Sequence, residues 1–391
     1  MQNVKWFKNA VIYHILIDRF AGFRSRDQWD TPRFLGGNLQ GIIEKIPYLS
    51  DLGVNILWIS PFYSTSAYHG YHITDYYKVD EHFGTLDDLE TLIRETHKNG
   101  MRIICDFVPN HCSKEQPFFK EAQSNRYSKY YDWFYFIRWP DQYLCFLSVK
   151  DLPKINLDNA EARMHIIKSA KYWLGKGFDG FRLDHVIGPS HGFWRDFTRA
   201  IKSSYPSAVL IGEAWMMGIR RNELKTLQVK NRTWRWWRGE KSMDGLLRSY
   251  IGVLDGVLDF TVQRLIHEYL ISKRYSRVMF EKLLHTHYKN FPSSDYYLPS
   301  FLDNHDMDRF LFRCGNNIEV LKEAVRLQFS LPQPPIIYYG TEQGLTQDKS
   351  IWDTPCNGDL QARQPMKWDK MNEDLYEFYK KIITDRKKDF I

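Results

Sequence analysis

The chain has 391 residues, of which 43% are hydrophobic and 26% charged, and its formal net charge is +7. This composition is that of a globular protein and excludes an intrinsically disordered chain. No apolar run in the sequence is long enough to span a membrane, and the length suits one large domain, such as an α/β barrel, or two ordinary domains.

The N-terminal run VIYHILI is short and leads directly into Asp18 and Arg19, so it predicts a strand and not a secretion signal. The five cysteines show no CxxC spacing, which argues against a zinc or redox centre and suits a reducing compartment. We therefore expect a cytoplasmic protein with no membrane partner.

Eight short apolar, β-branched runs recur along the chain and predict β-strands. They start at Val11, Asn55, Arg102, Gly177, Ala208, Gly256, Leu298 and Pro335. Helix-period patterns fill most of the intervals, for example DLETLIRETHKNG and ARMHIIKSAKYWLGKG, and both of these end in glycine, the usual C-terminal stop. Eight strands alternating with helices predict an α/β fold of the (β/α)8 type, a TIM barrel.

One interval is much longer than a single helix requires. Roughly 70 residues separate the third predicted strand from the fourth, which exceeds ordinary connection lengths. The excess, residues 111–157, is rich in Tyr, Phe, Trp and Pro and predicts a short subdomain inserted over the barrel mouth. The expected organisation is therefore a first part of the barrel at 1–110, the inserted subdomain at 111–157 and the remainder of the barrel at 158–391.

A second long interval, near residues 215–254, contains the sequence RTWRWWRGEK at 232–241. Cations interleaved with tryptophans can bind single-stranded nucleic acid, flank a sugar-binding cleft, or form the solvated edge of a helix. No other basic cluster or nucleic-acid motif accompanies this segment, so a nucleic-acid partner has the least support. Two interpretations of Trp234, Trp236 and Trp237 stay open: stacking on sugar rings, or packing of the loop against the barrel.

Polar residues gather where the predicted strands end. In a (β/α)8 barrel these ends converge on one mouth, where active sites form. Carboxylates from three strands would therefore meet there, and their repulsion and desolvation argue against a purely stabilising role. The strand-end residues are Asp106, Asn110, His111, Arg182, Asp184, His185, Glu213, Asp303, His305 and Asp306.

Paired carboxylates are typical of glycoside hydrolysis, in which one attacks or stabilises the reacting centre and the other protonates the leaving oxygen. In GFRLDHV, Arg182 and Asp184 are two positions apart on a strand, so their side chains point to the same side. We expect Arg182 to lower the pKa of Asp184 and keep it ionised. We expect a nearby Asp306 to raise the pKa of Glu213, so that this carboxyl starts protonated.

These motifs identify a family resemblance. The stretches GVNILWISP, HGYHITDYYKVDEHFGT, DFVPNH, LPKIN, GFRLDHV, GEAW, FLDNHD and PPIIYYGTE occur in the order found in the α-amylase superfamily of retaining glycoside hydrolases. The chain resembles that superfamily over nearly its whole length. LPKIN is most similar to the branch that contains cyclodextrinases, neopullulanases and maltogenic amylases.

The resemblance implies that Asp184 is the nucleophile, Glu213 the general acid/base and Asp306 the residue that stabilises the transition state. It implies no required cofactor and leaves room for calcium. Asn110 matches a calcium ligand of the family, and a hydrogen-bonded strand end explains the same residue equally well. The substrate-binding residues that the resemblance implies are Tyr71, His111, Arg182, His305, His72, His185 and Trp215.

The chain also departs from the family pattern. Many classical α-amylases carry Lys and His where this chain has Ile187 and Gly188, which puts a lysine contact to the substrate in doubt. Related exo-acting glucosidases often carry Asp where this chain has His72, which weakens an exo-glucosidase interpretation. No run of short strands follows the last predicted helix at 375–388, so we expect the family's C-terminal β-sandwich to be absent from this chain, either because the protein lacks it or because the chain is truncated.

The expected activity is retaining hydrolysis of α-1,4-glucosidic bonds in malto-oligosaccharides, starch or cyclodextrins. The alternative is a 4-α-glucanotransferase, which would use the same catalytic residues. A sucrose-type phosphorylase or isomerase has less support, and an inactive carbohydrate-binding relative would lack at least one of the three carboxylates. The sequence leaves the oligomeric state open.

Overall fold

The structure, a computed structural model, describes residues 2–215, 243–292, 295–353 and 357–389. The tryptophan- and arginine-rich segment 232–241 lies outside the described residues, so both interpretations of its tryptophans remain predictions.

Eight parallel strands form one sheet. The strands of the chain are β1 (Ile12–Ile15), β2 (Ile56–Ile59), β3 (Tyr63–Thr65), β4 (Ile73–Val79), β5 (Arg102–Phe107), β6 (Phe136–Arg138), β7 (Gln142–Tyr143), β8 (Gly180–Leu183), β9 (Val209–Gly212), β10 (Gly256–Val257), β11 (Ser300–Phe301) and β12 (Pro335–Tyr338). The order in the large sheet is β10-β9-β8-β5-β2-β1-β12-β11, while β3 pairs with β4 and β6 with β7. Each of the eight predicted runs contains one strand of the large sheet, which confirms that prediction.

The large sheet closes on itself between β10 and the residues that precede β11. The amide of Val257 donates to the carbonyl of Tyr297 over 3.0 Å, and the amide of Tyr297 donates to the carbonyl of Asp255 over 2.9 Å. A parallel bridge between Gly256 and Tyr297 accompanies these bonds. The two ends of the strand order therefore meet, as the (β/α)8 arrangement requires.

Helices fill most of the intervals between the strands of the large sheet. They are α1 (Ile17–Phe20), α2 (Leu39–Glu44), α3 (Ile46–Leu52), α4 (Leu86–Lys98), α5 (Pro117–Ser124), α6 (Ala160–Gly175), α7 (His191–Ser204), α8 (Met243–Arg248), α9 (Phe260–Leu270), α10 (Arg277–Lys289), α11 (Phe310–Arg313), α12 (Ile318–Ser330) and α13 (Glu373–Asp389). The predicted helices at DLETLIRETHKNG and ARMHIIKSAKYWLGKG correspond to α4 and α6. Within the described ranges, no helix combines the length and apolar character needed to cross a bilayer.

The side chains of β1 show how the core is divided. Tyr13 and Ile15 belong to the large cluster between sheet and helices, whereas Ile12 belongs to a second cluster built from the opposite faces of the strands. Trp58 of β2 and Ile211 of β9 join Ile12 in this second cluster. The barrel interior is therefore packed with apolar side chains, and polar groups at the carboxyl ends of the strands rest on that packed layer.

The connection between β5 and α6 carries its own short elements, α5 and the hairpin β6–β7. Isolated antiparallel bridges join His111 to Lys154 and Phe134 to Ile155. They fold the end of this connection back toward the carboxyl end of β5. Side chains from the connection are thereby placed beside the polar residues that follow β5.

Candidate active site

Four charged side chains converge at the carboxyl ends of neighbouring strands. Asp106 lies in β5 and Arg182 in β8, Asp184 directly follows β8, and Glu213 directly follows β9. The three strands are adjacent in the sheet. Each of the four residues is at most 6% exposed, so their charges depend on one another for stabilisation.

The guanidinium group of Arg182 is the common partner of the three carboxylates. Its Nη1 donates to Oδ1 of Asp184 over 2.8 Å and also to Oδ1 of Asp106, while its Nη2 contacts Oε1 of Glu213. The side chains of Arg182 and Asp184 thus lie on the same side, as their spacing predicted. Arg182 is also shared with two further carboxylates, a contact that the spacing did not reveal.

Asp106 was among the predicted strand-end residues, but no catalytic or binding role was predicted for it. Its Oδ2 accepts hydrogen bonds from Nε1 of Trp58 over 2.8 Å and from the hydroxyl of Tyr71 over 3.0 Å, and its Oδ1 accepts from Arg182. Asp106 therefore orients both the arginine and the tyrosine. The position of Asp106 in a predicted strand, shortly before Asn110 and His111, was the signal in the sequence for such an orienting role.

Burial has the largest effect on the pKa of Asp184 and of Glu213. It raises the pKa of Asp184 well above its usual value, while the charge of Arg182 opposes the rise. The expected lowering of the Asp184 pKa is therefore outweighed, because the carboxyl is desolvated and its arginine is shared with two other acids. Burial also raises the pKa of Glu213 to about 6, Arg182 opposes this, and Asp306 adds to it, in the expected direction.

The turn after Asp184 is tied to the strand end that carries Glu213. The amide of His185 donates to Oε2 of Glu213 over 3.2 Å, and the amide of Val186 donates to the carbonyl of Glu213 over 3.0 Å. His185 has a φ of 44°, in the left-handed region that side chains larger than glycine rarely adopt. This conformation lets the backbone reach Glu213 and keeps the two carboxyls in a set relative position.

Asp306 is more accessible, with 31% of its side chain exposed. Its Oδ1 accepts a hydrogen bond from Nη2 of Arg363 over 2.8 Å, and its Oδ2 lies 3.2 Å from Nε2 of His305. Arg363 also donates to the carbonyl of His305 over 2.8 Å and contacts the carboxylate of Asp359. The sequence offered no local signal for Arg363, which follows Asp306 by 57 positions.

A cleft with a volume of about 550 Å³ lies over Asp184 and Asp306. Its wall includes Tyr71, whose ring stacks on that of His305 with centroids 5.2 Å apart and planes 11° from parallel. The cleft thus combines carboxylates with flat ring faces, a common composition of ligand sites. The predicted site residues that line it are Tyr71, His72, His111, Asp184, His305 and Asp306.

Three rings stand together at one side of the cleft. Phe146 lies 4.5 Å from His111 and 4.7 Å from His185 between ring centroids. Burial lowers the pKa of His111 to about 3, and nearby His72 and Lys154 lower it further, so this imidazole is neutral. Phe146 was not predicted individually, although the aromatic richness of residues 111–157 was a signal for such a contact.

Trp215 takes part in a different contact. Its ring stacks on Phe260 with centroids 5.2 Å apart and planes 5° from parallel, and it packs against the cluster inside the barrel. Among the described residues that line the cleft, Trp215 does not occur. Its predicted role in substrate binding therefore has no support from this cleft.

The contacts of Asn110 show what surrounds the residue that matches a calcium ligand of the family. Its Nδ2 lies 3.2 Å from Nδ1 of His111, and its carbonyl accepts from the amide of Ile155 over 2.9 Å. Nearby, Nζ of Lys154 donates to the carbonyl of Gly188 over 2.9 Å. No cluster of three His, Cys, Asp or Glu residues suited to a metal ion occurs in the described part of the chain. In the described part of the chain, the surroundings of Asn110 thus contain a buried ammonium and no cluster of acidic side chains.

An α/β barrel with an arginine-linked group of carboxylates at its strand ends has the arrangement typical of a barrel glycosidase. The chain belongs to the alpha-amylase catalytic domain family. The model of that family, described as "Alpha amylase, catalytic domain", matches residues 14–233 and 239–389.

Among curated relatives, Alpha-amylase 2 of Dictyoglomus thermophilum is 37% identical over 387 residues, covering 98% of this chain and 64% of the relative. A cyclomaltodextrinase of Thermoanaerobacter pseudethanolicus is 31% identical over 404 residues, with coverage of 98% and 64%. The chain thus spans less than two thirds of the length of these relatives.

Solved structures show the same similarity. The cyclic α-maltosyl-(1→6)-maltose hydrolase of Arthrobacter globiformis, in complex with cyclic α-maltosyl-(1→6)-maltose, matches with a TM-score of 0.82 and 27% identity. That match covers 98% of this chain and 83% of the other.

Proposed function

We propose that this chain is a retaining glycoside hydrolase that cleaves α-1,4-glucosidic bonds in malto-oligosaccharides, starch or cyclodextrins. The observation that carries the proposal is the pair Asp184 and Glu213, which share Arg182 at the ends of adjacent strands. Relatives named cyclomaltodextrinase, neopullulanase and maltogenic amylase support an α-glucan as the substrate class.

In this proposal Glu213 protonates the glycosidic oxygen while Asp184 attacks the anomeric carbon, so that a covalent glycosyl-enzyme forms as the leaving sugar departs. Glu213, now ionised, then takes a proton from the water that hydrolyses this intermediate. The raised pKa of Glu213, about 6, suits both roles near neutral pH. Arg182 contacts both carboxyls and supplies the positive charge that stabilises Asp184 when it acts as nucleophile.

Asp306 is proposed to bind hydroxyl groups of the reacting sugar and to stabilise the transition state. Arg363 and His305 hold its carboxylate at the edge of the cleft, where its exposed part faces solvent. Tyr71, stacked on His305, offers a ring face in the same cleft. His72 and His111 line the cleft as well and are proposed as further sugar contacts, as is His185 through its contact with Phe146.

The residues that line the cleft also support the proposed division of the chain into domains. Residues 1–110 and 158–391 are assigned to the barrel, and residues 111–157 to an inserted subdomain. Phe146, Val149 and Leu152 of that subdomain line the cleft beside His111. The insertion thus contributes an apolar wall next to the carboxylates of the barrel.

This apolar wall is also the observation that favours the second candidate function, a 4-α-glucanotransferase. A sugar ring can compete with water for the glycosyl-enzyme when an apolar surface binds the ring and excludes solvent. Val149, which is 41% exposed, and Phe146 offer such a surface. Hydrolysis and transfer would use the same carboxylates and differ only in the acceptor.

The test is a time course with maltoheptaose and, separately, with β-cyclodextrin, with the products separated by chromatography. Only shorter products from maltoheptaose at early times establish hydrolysis, and products longer than the substrate establish transfer. The Asp184→Asn variant serves as the control for a contaminating activity. If the wild-type protein converts neither substrate, or if Asp184→Asn converts them equally well, the proposed function is wrong.

A further inference from the structure

Lys154 is an unusual side chain for its position. It comes from the connection between β5 and α6, yet it is only 4% exposed. Its Nζ donates a hydrogen bond to the carbonyl of Gly188 over 2.9 Å. A lysine is almost never fully buried unless its charge has partners, so the ammonium group must be compensated by oxygen atoms at this place.

One acceptor of this ammonium is the backbone carbonyl of Gly188. Gly188 closes the turn that follows Asp184, since its amide donates to the carbonyl of His185 over 2.9 Å. The side-chain oxygen of Asn110 abuts the same glycine: a Cβ atom on Gly188 would lie 2.0 Å from Oδ1 of Asn110. This Oδ1 is buried and has no hydrogen-bond partner among the described residues. The carbonyl of Gly188 therefore accepts from Lys154, and the amide oxygen of Asn110 lies close to the same glycine.

Such oxygen atoms are also the ligands that calcium prefers. The ammonium group of Lys154, however, already supplies a positive charge at this place. A calcium ion beside the Gly188 carbonyl would face the ammonium of Lys154 at short range, and two cations in a buried site repel strongly. Among the described residues, the site thus has a cation of its own and no cluster of acidic side chains with which to bind a second one.

We propose that Lys154 is an internal cation that takes the structural place of a metal ion. It connects the inserted segment 111–157 to the turn between His185 and Gly188. That turn is the one whose His185 amide holds Glu213 and whose first residue follows Asp184. Lys154 therefore acts as a positioning residue for the catalytic strand end, and the protein needs no calcium to keep this region folded.

The first arm of the test measures wild-type protein without substrate. Protein dialysed against EGTA and protein supplied with millimolar calcium chloride are compared by thermal unfolding, and the calcium content of protein purified without chelator is measured by elemental analysis. We expect less than about one tenth of a calcium per chain and the same Tm in both buffers. Stoichiometric calcium, or a Tm that rises with calcium, overturns the proposal.

The second arm compares Lys154→Met with Lys114→Met. Lys114 lies in the same segment, is about half exposed and pairs with Asp151 over 2.8 Å, so its loss should have little effect on stability. Lys154→Met keeps the length and apolar stem but leaves the buried carbonyl of Gly188 without its Lys154 donor, and we expect Tm to fall by about 3–8 °C. Equal Tm values for the two variants overturn the proposal.

Neither arm depends on catalysis, so failure here is distinguishable from failure of the proposed function. The positioning role has its own readout on maltoheptaose once turnover is established. We expect Lys154→Met to lower kcat by about tenfold or more at temperatures where it stays folded, with a smaller change in KM, because the turn beside Asp184 shifts. An unchanged kcat at such a temperature would leave the lysine a purely structural residue and overturn the positioning role.

Discussion

Arg182 donates a hydrogen bond from Nη1 to Oδ1 of Asp184 over 2.8 Å, although the two residues are only two positions apart in the chain. The same guanidinium reaches Asp106 and Glu213. One arginine therefore contacts all three carboxylates of this cluster: Asp106 in β5, Asp184 after β8 and Glu213 after β9. We therefore expect changes to this arginine or to its carboxylate partners to alter activity.

The first prediction concerns the planar fork of this arginine. Arg182→Lys keeps the charge, but a single ammonium cannot contact three carboxylates in the same geometry. We expect kcat on maltoheptaose to fall by about 10²-fold or more, because the reacting carboxyls move by a fraction of an ångström or more. Arg102→Lys is the matched control, since Arg102 pairs with Asp179 at 2.7 Å on the surface. Similar kinetics for the two variants would contradict the role of Arg182.

The second prediction concerns the nucleophile. Asp184→Asn removes the attacking carboxylate while keeping the shape of the side chain, so we expect kcat to fall by about 10³-fold or more. The variant should retain the far-UV circular dichroism of the wild type. Asp196→Asn, which alters a partly exposed partner of Arg163, should keep most of the activity. Near-normal turnover by a cleanly purified Asp184→Asn protein would refute the assignment.

The third prediction concerns stereochemistry. Retaining glycosidases have their two carboxyl groups about 5–5.5 Å apart, and inverting enzymes about 6.5–9.5 Å. Because Asp184 and Glu213 both contact the guanidinium group of Arg182, we expect their carboxyl groups to have the shorter separation. We therefore expect the α-anomer as the first product when hydrolysis of a malto-oligosaccharide is followed by proton NMR. An initial β-anomer would rule out the double displacement.

The fourth prediction concerns pH. Burial raises the pKa of Glu213 to about 6, and a general acid must be protonated to act. We expect kcat/KM to fall as pH rises through about 6, to within roughly one unit, and to fall again at lower pH, where Asp184 becomes protonated. With an activated substrate whose leaving group needs no protonation, the fall should be much smaller. A profile that is flat from pH 5 to pH 8 on the natural substrate would contradict this role for Glu213.

The fifth prediction concerns stability away from the cleft. The ring of His287 is 2% exposed, with Nδ1 3.0 Å from Asp244 and Nε2 3.0 Å from Asp259. Burial lowers the pKa of His287, but the two carboxylates more than compensate, and the pKa rises to about 10. Because the pKa in the folded state exceeds the unfolded value of about 6.5, the contribution to stability is complete below pH 6.5. It is lost as pH rises through about 10.

We expect His287→Gln to lower the free energy of unfolding by about 3–5 kcal/mol below pH 6.5, since the variant leaves two carboxylates without their cation. The difference from wild type should shrink as pH approaches 10. His285→Gln, on the exposed side of α10, is the control and should change stability little. Urea titrations at pH 6 and pH 9 measure both effects, and a difference that does not depend on pH would contradict the charged state of His287.

The strands and the polar residues at their ends could be predicted from the sequence, because each is marked by a few consecutive residues. A run such as NILWIS is apolar and β-branched over the few residues that form β2, and DFVPNH follows directly from β5. The alternation of side chains along a strand placed Arg182 and Asp184 on one side without any knowledge of the neighbours. Eight such runs alternating with helical patterns are enough to predict the parallel sheet.

Contacts between distant parts of the chain were decided by the tertiary structure alone. The pairing of Asp306 with Arg363 spans 57 positions, that of Arg182 with Asp106 spans 76, and the stacking of Trp215 on Phe260 brings together the ends of neighbouring strands. Sequence periodicity records which face of an element is apolar, but not which residue of another element will meet it. The pKa of Asp184 shows the physical reason. The arginine beside it is visible in the sequence, whereas the desolvation that outweighs the charge of this arginine exists only after the chain has folded and buried the carboxyl.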